Sequence, residues 1–244
     1  MQKTIVVTRP KGDEEIITQA LQDLGHFVIH EPLTEIFLNH TIRGHLQVAL
    51  EDEPAAIIAT SRHAVQALAL LSDYRDLFVL CVGEATAELA ISLGFTRVES
   101  GGGDVESLLE FITAGYDDEA KFLYISGEHI RSDLPLILES FGMRCDRIIA
   151  YQAIATEELS ETLLEQLKRG QIDAITFFSP RNAKIFCTLL EDFGAGEAAS
   201  VLDAVCFSKD VAEAAGDLEW KNIIISAEPT LASLIDSVDN SYSS

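Results

Sequence analysis

Five short stretches place small hydroxyl residues, glycine and arginine where apolar runs stop: Thr8-Arg9-Pro10, Thr60-Ser61-Arg62, Gly83-Glu84-Ala85-Thr86, Ser126-Gly127-Glu128 and Ser179-Pro180-Arg181. Hydroxyl and guanidinium groups are hydrogen-bond donors, and small residues let backbone N–H groups come close to a ligand. That combination suits the gripping of an anion. A single Ser or Thr in such a place reads first as an ordinary helix N-cap. Five such stops in one chain point to a site.

Other chemistries lack their signatures. No GxGxxG or P-loop pattern follows an apolar run, and Gly101-Gly102-Gly103-Asp104 reads as a turn with an Asp N-cap for a helix from Val105. There is no nucleophile elbow, and TRP stands where a phosphoacceptor receiver would need an acidic pair after its first strand. The six histidines show no metal spacing, and Cys81, Cys145, Cys187 and Cys206 sit singly in apolar stretches, as reduced core thiols. No metal site is expected.

The elements that must hold these stops follow from periodicity. Short β-branched runs alternate with helical patterns from end to end, the mark of parallel sheets covered by helices. Strands are expected at 4–8, 27–32, 55–60, 78–83, 96–100, 121–126, 146–155, 173–179, 204–208 and 222–227, with a helix after most of them. Leu24-Gly25, Leu93-Gly94 and Phe141-Gly142 are natural helix ends. In parallel sheets, ligands sit beyond the carboxyl ends of strands, and that is where the five stops lie.

Two internal echoes, TSRHA at 60–64 with SPRNA at 179–183 and CVGEATAELA at 81–90 with CFSKDVAEAA at 206–215, indicate two similar lobes. The strands divide evenly if the chain leaves the first lobe early and returns late. The expected division is 1–34 plus 160–244 for the discontinuous lobe and 52–153 for the other, with 35–51 and 154–159 as the inter-lobe connections. The final DNSYSS is expected to be a frayed tail.

A chain of 244 residues with 48% hydrophobic content buries a substantial core, and no apolar run is long enough to span a bilayer. The N-terminus lacks the pattern of a signal peptide, so a cytoplasmic protein is expected. A formal net charge of −23 argues against nucleic acid and anionic membranes as partners. Any anionic ligand must then be held by local donors. Nothing suggests an exposed apolar seam, and a monomer is expected.

The succession VTRP at 7–10, ATS at 59–61, VGEATA at 82–87, YISG at 124–127, AYQA at 150–153 and FFSP at 177–180 resembles the uroporphyrinogen-III synthase family in order and spacing across nearly the whole chain. The resemblance implies two five-stranded α/β lobes, the first discontinuous, joined by a two-stranded connection, with the active site between them. It implies a cofactor-free cyclisation of hydroxymethylbilane, with loss of water and inversion of ring D, and transient contact with the preceding enzyme of the pathway. A substrate bearing eight carboxylates would be gripped at the strand ends by Thr8, Arg9, Thr60, Ser61, Arg62, Gly83, Ser126, Gly127, Ser179 and Arg181. Tyr151 stands out as a proton donor on the return strand, with Thr86 orienting a carboxylate or the leaving hydroxyl. One motif departs: where the family pattern reads like IGxTTA, this chain has Phe207-Ser208-Lys209-Asp210-Val211-Ala212, leaving Ser208 as an anion donor. That departure supports the alternative of a non-catalytic, two-lobed protein that binds a polyanionic small molecule.

Overall fold

The computed structural model describes residues 2–130 and 132–242. In chain order its elements begin with β1 (Thr4–Val7), α1 (Glu15–Asp23), β2 (Phe27–His30), β3 (Thr34–Leu38), α2 (Arg43–Glu51), β4 (Ala56–Ala59) and α3 (Arg62–Leu71). They continue with β5 (Phe78–Cys81), α4 (Glu84–Ser92), β6 (Arg97–Ser100), α5 (Val105–Gly115), β7 (Lys121–Gly127), α6 (Leu134–Ser140) and β8 (Arg144–Ala155). The chain closes with α7 (Glu161–Lys168), β9 (Ala174–Phe177), α8 (Pro180–Asp192), β10 (Asp203–Cys206), α9 (Lys209–Ala215), β11 (Asn222–Ile225) and α10 (Leu231–Tyr242).

Two compact units result, Met1–Glu35 with Ile154–Ser244, and Ile36–Ala153. In the first, strands run in the order β11-β10-β9-β1-β2, each parallel to its neighbours. Alternation along each strand feeds two layers. Val6, Ile175, Phe177, Ala204 and Cys206 pack with α7, α8 and α9, while Ile5, Val7, Ala174 and Val205 face α1 and α10. Burial on both faces is why these strands read as unbroken apolar runs. Glu31 ties the two chain segments of this unit together: its carboxylate accepts from the Ser160 backbone N–H at 2.7 Å and from its hydroxyl at 2.8 Å, where α7 begins.

The second unit has the order β3-β8-β7-β4-β5-β6, with β4 to β8 parallel. Ile57, Ala59, Val79, Cys81, Leu123 and Ile125 pack with α2, α3 and α4, and the alternate residues Ala56, Ile58, Leu80, Phe122 and Tyr124 pack with α5 and α6. The β3 strand runs antiparallel to β8, since the Thr156 N–H reaches the Leu33 carbonyl while the Asn39 N–H reaches that of Ala150. Both unit boundaries fall within these two strands.

Three features extend the sequence reading. Residues 35–51, expected as connection, carry most of β3 and all of α2, and Leu46 and Leu50 of α2 are buried in the core of the second unit. The expected frayed tail is helical: α10 continues to Tyr242, whose ring is buried and whose hydroxyl donates to Asp203 at 2.5 Å, while Ser243 and Ser244 lie outside the described residues. The four cysteines are free thiols, and burial pushes each up to about 12, so they remain protonated and inert at neutral pH. Helix α1 ends at Gly25 (φ 87°) and α4 at Gly94 (φ 92°), left-handed positions that only glycine takes cheaply.

Candidate functional site

An open α/β sheet binds ligands beyond its carboxyl edge, at the point where successive strands depart to opposite sides. In the second unit that point lies between β4 and β7, and in the first between β1 and β9. Four of the five stops sit at or just past the carboxyl ends of β4, β7, β1 and β9.

Beyond β4 and β7 lies a cavity of about 590 Å³ whose lining includes Thr60, Ser61, Tyr124, Gly127, His129 and Tyr151. Thr60 and Ser61, consecutive in the chain just after β4, each hold a phenol, one from the adjacent strand β7 and one from β8 beyond it. The Thr60 hydroxyl is 3.1 Å from that of Tyr124 on β7, and the Ser61 hydroxyl 2.8 Å from that of Tyr151 on β8. Ser61 also caps α3, accepting from the Ala64 N–H at 3.1 Å. The N-cap and functional readings therefore both apply to this serine. Burial pushes the Tyr124 phenol above its ordinary value, against the opposing effect of the Thr60 hydrogen bond. The His63 ring lies 5.6 Å from that of Tyr151, centroid to centroid.

Gly127 has a steric role. A Cβ at this position would lie 2.7 Å from Cε2 and 2.8 Å from Cζ of Tyr151, opposite which it stands in the ladder just after a register shift. Ser126 is committed internally: its hydroxyl accepts from Arg147 Nε at 2.8 Å and donates to the Gly127 carbonyl at 3.0 Å. The same Arg147 donates from Nη2 to the carbonyls of Gly127 and Glu128, each at 2.8 Å, and so fixes the loop that leaves β7. Nothing in the sequence marks Arg147, one polar residue in an alternating strand. Gly83 occupies the N-cap of α4, and Thr86 is 9% exposed within that helix; both lie outside the lining of the cavity that Tyr151 enters.

The first unit differs. Thr8 is fully buried and its hydroxyl donates to the Thr176 carbonyl at 2.7 Å, so it clamps β1 to β9. The Arg9 guanidinium lies over the Phe178 ring, 4.8 Å from its centroid, with Nη2 3.8 Å from the Asp13 carboxylate. Phe207 follows β10, its ring 5.8 Å from that of Phe178. Ser179 caps α8 by accepting from the Asn182 N–H at 3.2 Å, whereas Ser208, at the N-cap of α9, makes no such bond.

The caps correct one echo. Aligned on Ser61 and Ser179, the two motifs shift by one residue from their arginine match: Thr60 then corresponds to Phe178, and Arg62, first in α3, to Pro180. Arg181 is the second residue of α8, so the two arginines leave their helices about 100° apart. Arg62 and Arg181 are both half-buried.

A family model described as uroporphyrinogen-III synthase HemD matches residues 15–236. The porphyrin biosynthesis protein HemD of Ruminiclostridium josui is 26% identical over 249 residues, an alignment that takes in 95% of this chain and 47% of that protein. The chain thus spans about half the length of the curated relative it matches. Among solved structures, uroporphyrinogen-III synthetase from Helicobacter pylori is similar with a TM-score of 0.61 at 17% identity, covering 98% of this chain and 99% of that one. A mutant uroporphyrinogen III synthase from Thermus thermophilus gives a TM-score of 0.57 at 17% identity, with 99% of each chain covered. At such identities these likenesses speak for the fold.

Proposed function

The chain belongs to the uroporphyrinogen-III synthase family, and from that premise we propose that it cyclises hydroxymethylbilane to uroporphyrinogen III, with loss of water and inversion of ring D. The observation that carries the reading is the family match through residues 15–236, which takes in the strand ends of the second unit and, in the first unit, those of β9 and β10.

The reaction needs a leaving hydroxyl to depart as water and the chain to close through a spiro intermediate in the productive fold. Closure without the enzyme gives the uninverted isomer, so holding the bilane is the larger part of the task. Positioning of this kind is worth ~7–11 kcal/mol in favourable cases. The two strand-end regions divide the work. In the second unit the hydroxyl-lined cavity supplies a proton: a phenol, with an ordinary pKa of about 10, stays protonated at neutral pH, and Tyr151 delivers its proton to the departing hydroxyl. In the first unit Arg9, Arg181 and the backbone N–H groups at the start of α8 grip carboxylates.

The hand-over of so reactive a substrate favours transient contact with the enzyme that makes it, and the proposal places the protein in the cytoplasm as a monomer. Among the described residues no helix is long and apolar enough to cross a membrane.

A second reading, polyanion binding without catalysis, is favoured by residues 207–212, where Asp210 and Val211 stand in place of the threonine pair of the family pattern. Freshly made hydroxymethylbilane separates the two. Uroporphyrinogen III forming faster than the blank supports the enzyme; isomer I alone, at the rate of the blank, leaves only binding.

A further inference from the structure

A hydroxyl oxygen has two lone pairs and one proton. At Ser61 one lone pair already accepts from the Ala64 N–H, at 3.1 Å, and the Tyr151 hydroxyl sits 2.8 Å away. The helix cap fixes the Ser61 rotamer, and in its bond with Tyr151 either hydroxyl can be the donor. Before substrate arrives, the phenol is the stronger donor of the two. Once an alcohol or carboxylate oxygen enters, the Tyr151 proton has a better acceptor, and the direction of the bond reverses. The Ser61 proton then points at the phenol oxygen as that oxygen gains negative charge.

We propose that Ser61 is a positioning residue that donates to the Tyr151 oxygen during proton transfer, and not a group that grips substrate. The proposal rests on the reading of Tyr151 as proton source. The step balances: the O–H bond of Tyr151 breaks as the C–O bond of the bilane breaks, water leaves, and the phenolate, held by the Ser61 hydroxyl, recovers the proton released when the ring closes. Accepting the Ala64 N–H polarises the Ser61 hydroxyl and strengthens its donation. Thr60 and Tyr124 repeat the pairing at 3.1 Å one residue earlier, but Thr60 caps no helix, so its hydroxyl is not fixed in this way.

Ser61→Gly tests the idea, because glycine begins a helix nearly as well as serine does and removes only the hydroxyl. The expected result is a fall in kcat of about tenfold, the scale of one hydrogen bond to a developing charge, with KM within about twofold of the parent. Ser61→Thr, which keeps both cap and donor, restores kcat. In a Tyr151→Phe background, Ser61→Gly costs nothing further. A rise in KM at unchanged kcat, or an equal loss in the Tyr151→Phe background, would overturn the proposal. With ring-labelled tyrosine, the Cζ resonance that vanishes in Tyr151→Phe moves in Ser61→Gly and returns in Ser61→Thr; a resonance that stays in place overturns the pairing itself. If the parent protein makes no isomer III, the enzymatic reading fails while this spectroscopic arm still reports on the Ser61–Tyr151 bond.

Discussion

The strand ends of the two units are built by the same device and finished differently. Each has a parallel strand, a serine that caps the next helix, and a helix whose start presents backbone N–H groups. In the second unit the residue before the cap is Thr60, and two phenols come in from β7 and β8. In the first it is Phe178, stacked under Arg9 and beside Phe207. The caps are scaffold common to both. The residue before each cap sets the difference: Thr60 joins a pair of hydroxyl–phenol contacts in one region, and Phe178 places an aromatic ring under a guanidinium in the other.

The largest test of that contrast asks whether the second unit stands by itself. A fragment of residues 36–153 is expected to fold, whereas 52–153 loses β3 and α2 and with them Leu46 and Leu50, each worth ~2–5 kcal/mol in a core. Circular dichroism and a urea titration of both fragments decide it, and a 52–153 fragment as stable as 36–153 would remove α2 from the core.

Gly127→Ala comes next. The added methyl meets Tyr151 at a distance no packed carbon tolerates, so the ring must move, at ~1–3 kcal/mol of stability, and turnover falls to that of Tyr151→Phe. A variant with normal turnover and an unmoved ring would show that Gly127 is not the seat of Tyr151.

The smallest expected effect belongs to the first unit and to pH. His26 is buried, with neither ring nitrogen hydrogen-bonded, and its pKa is lowered chiefly by burial. Around it, Asp239 and Asp173 favour the proton and Lys3 opposes it, while the Tyr242 ring packs against it edge-on. The folded state therefore holds the proton less well than the unfolded chain. Stability is fully present above pH 6.5 and falls as the pH drops below it. Melting curves from about pH 7.5 to about pH 5 should show a decline that is smaller in His26→Gln; equal declines would assign the acid sensitivity elsewhere.

Much of this was legible in the sequence. All ten expected strands are present, and β1, β4, β5, β7, β9 and β10, buried on both faces, are the ones written as continuous apolar runs. The β3 strand escaped because only part of TEIFL is apolar, and α2 because RGHLQVALE carries few large apolar residues. The arginines of the two echoes drew the eye, but the serine caps set the alignment. The phenol pairs were not legible at all: Thr60 and Tyr124 are 64 residues apart, Ser61 and Tyr151 90, and only the strand order brings them together. Thr8 looked like a ligand group because a sequence does not show that its hydroxyl is already taken by Thr176.

The division of labour between the two strand-end regions is tested most directly by steady-state kinetics with isomer analysis on Tyr151→Phe and Arg181→Ala side by side. General acid assistance is worth ~10²–10⁴-fold, and a bilane that ionises readily by itself should sit at or below the low end. A charge-assisted bond to a carboxylate is worth ~1.5–3 kcal/mol, or about tenfold or more in binding. Tyr151→Phe should lower kcat with KM nearly unchanged, Arg181→Ala should raise KM with kcat nearly unchanged, and both should still form isomer III. Full activity in Tyr151→Phe, or a raised KM in Tyr151→Phe with a lowered kcat in Arg181→Ala, would contradict the account.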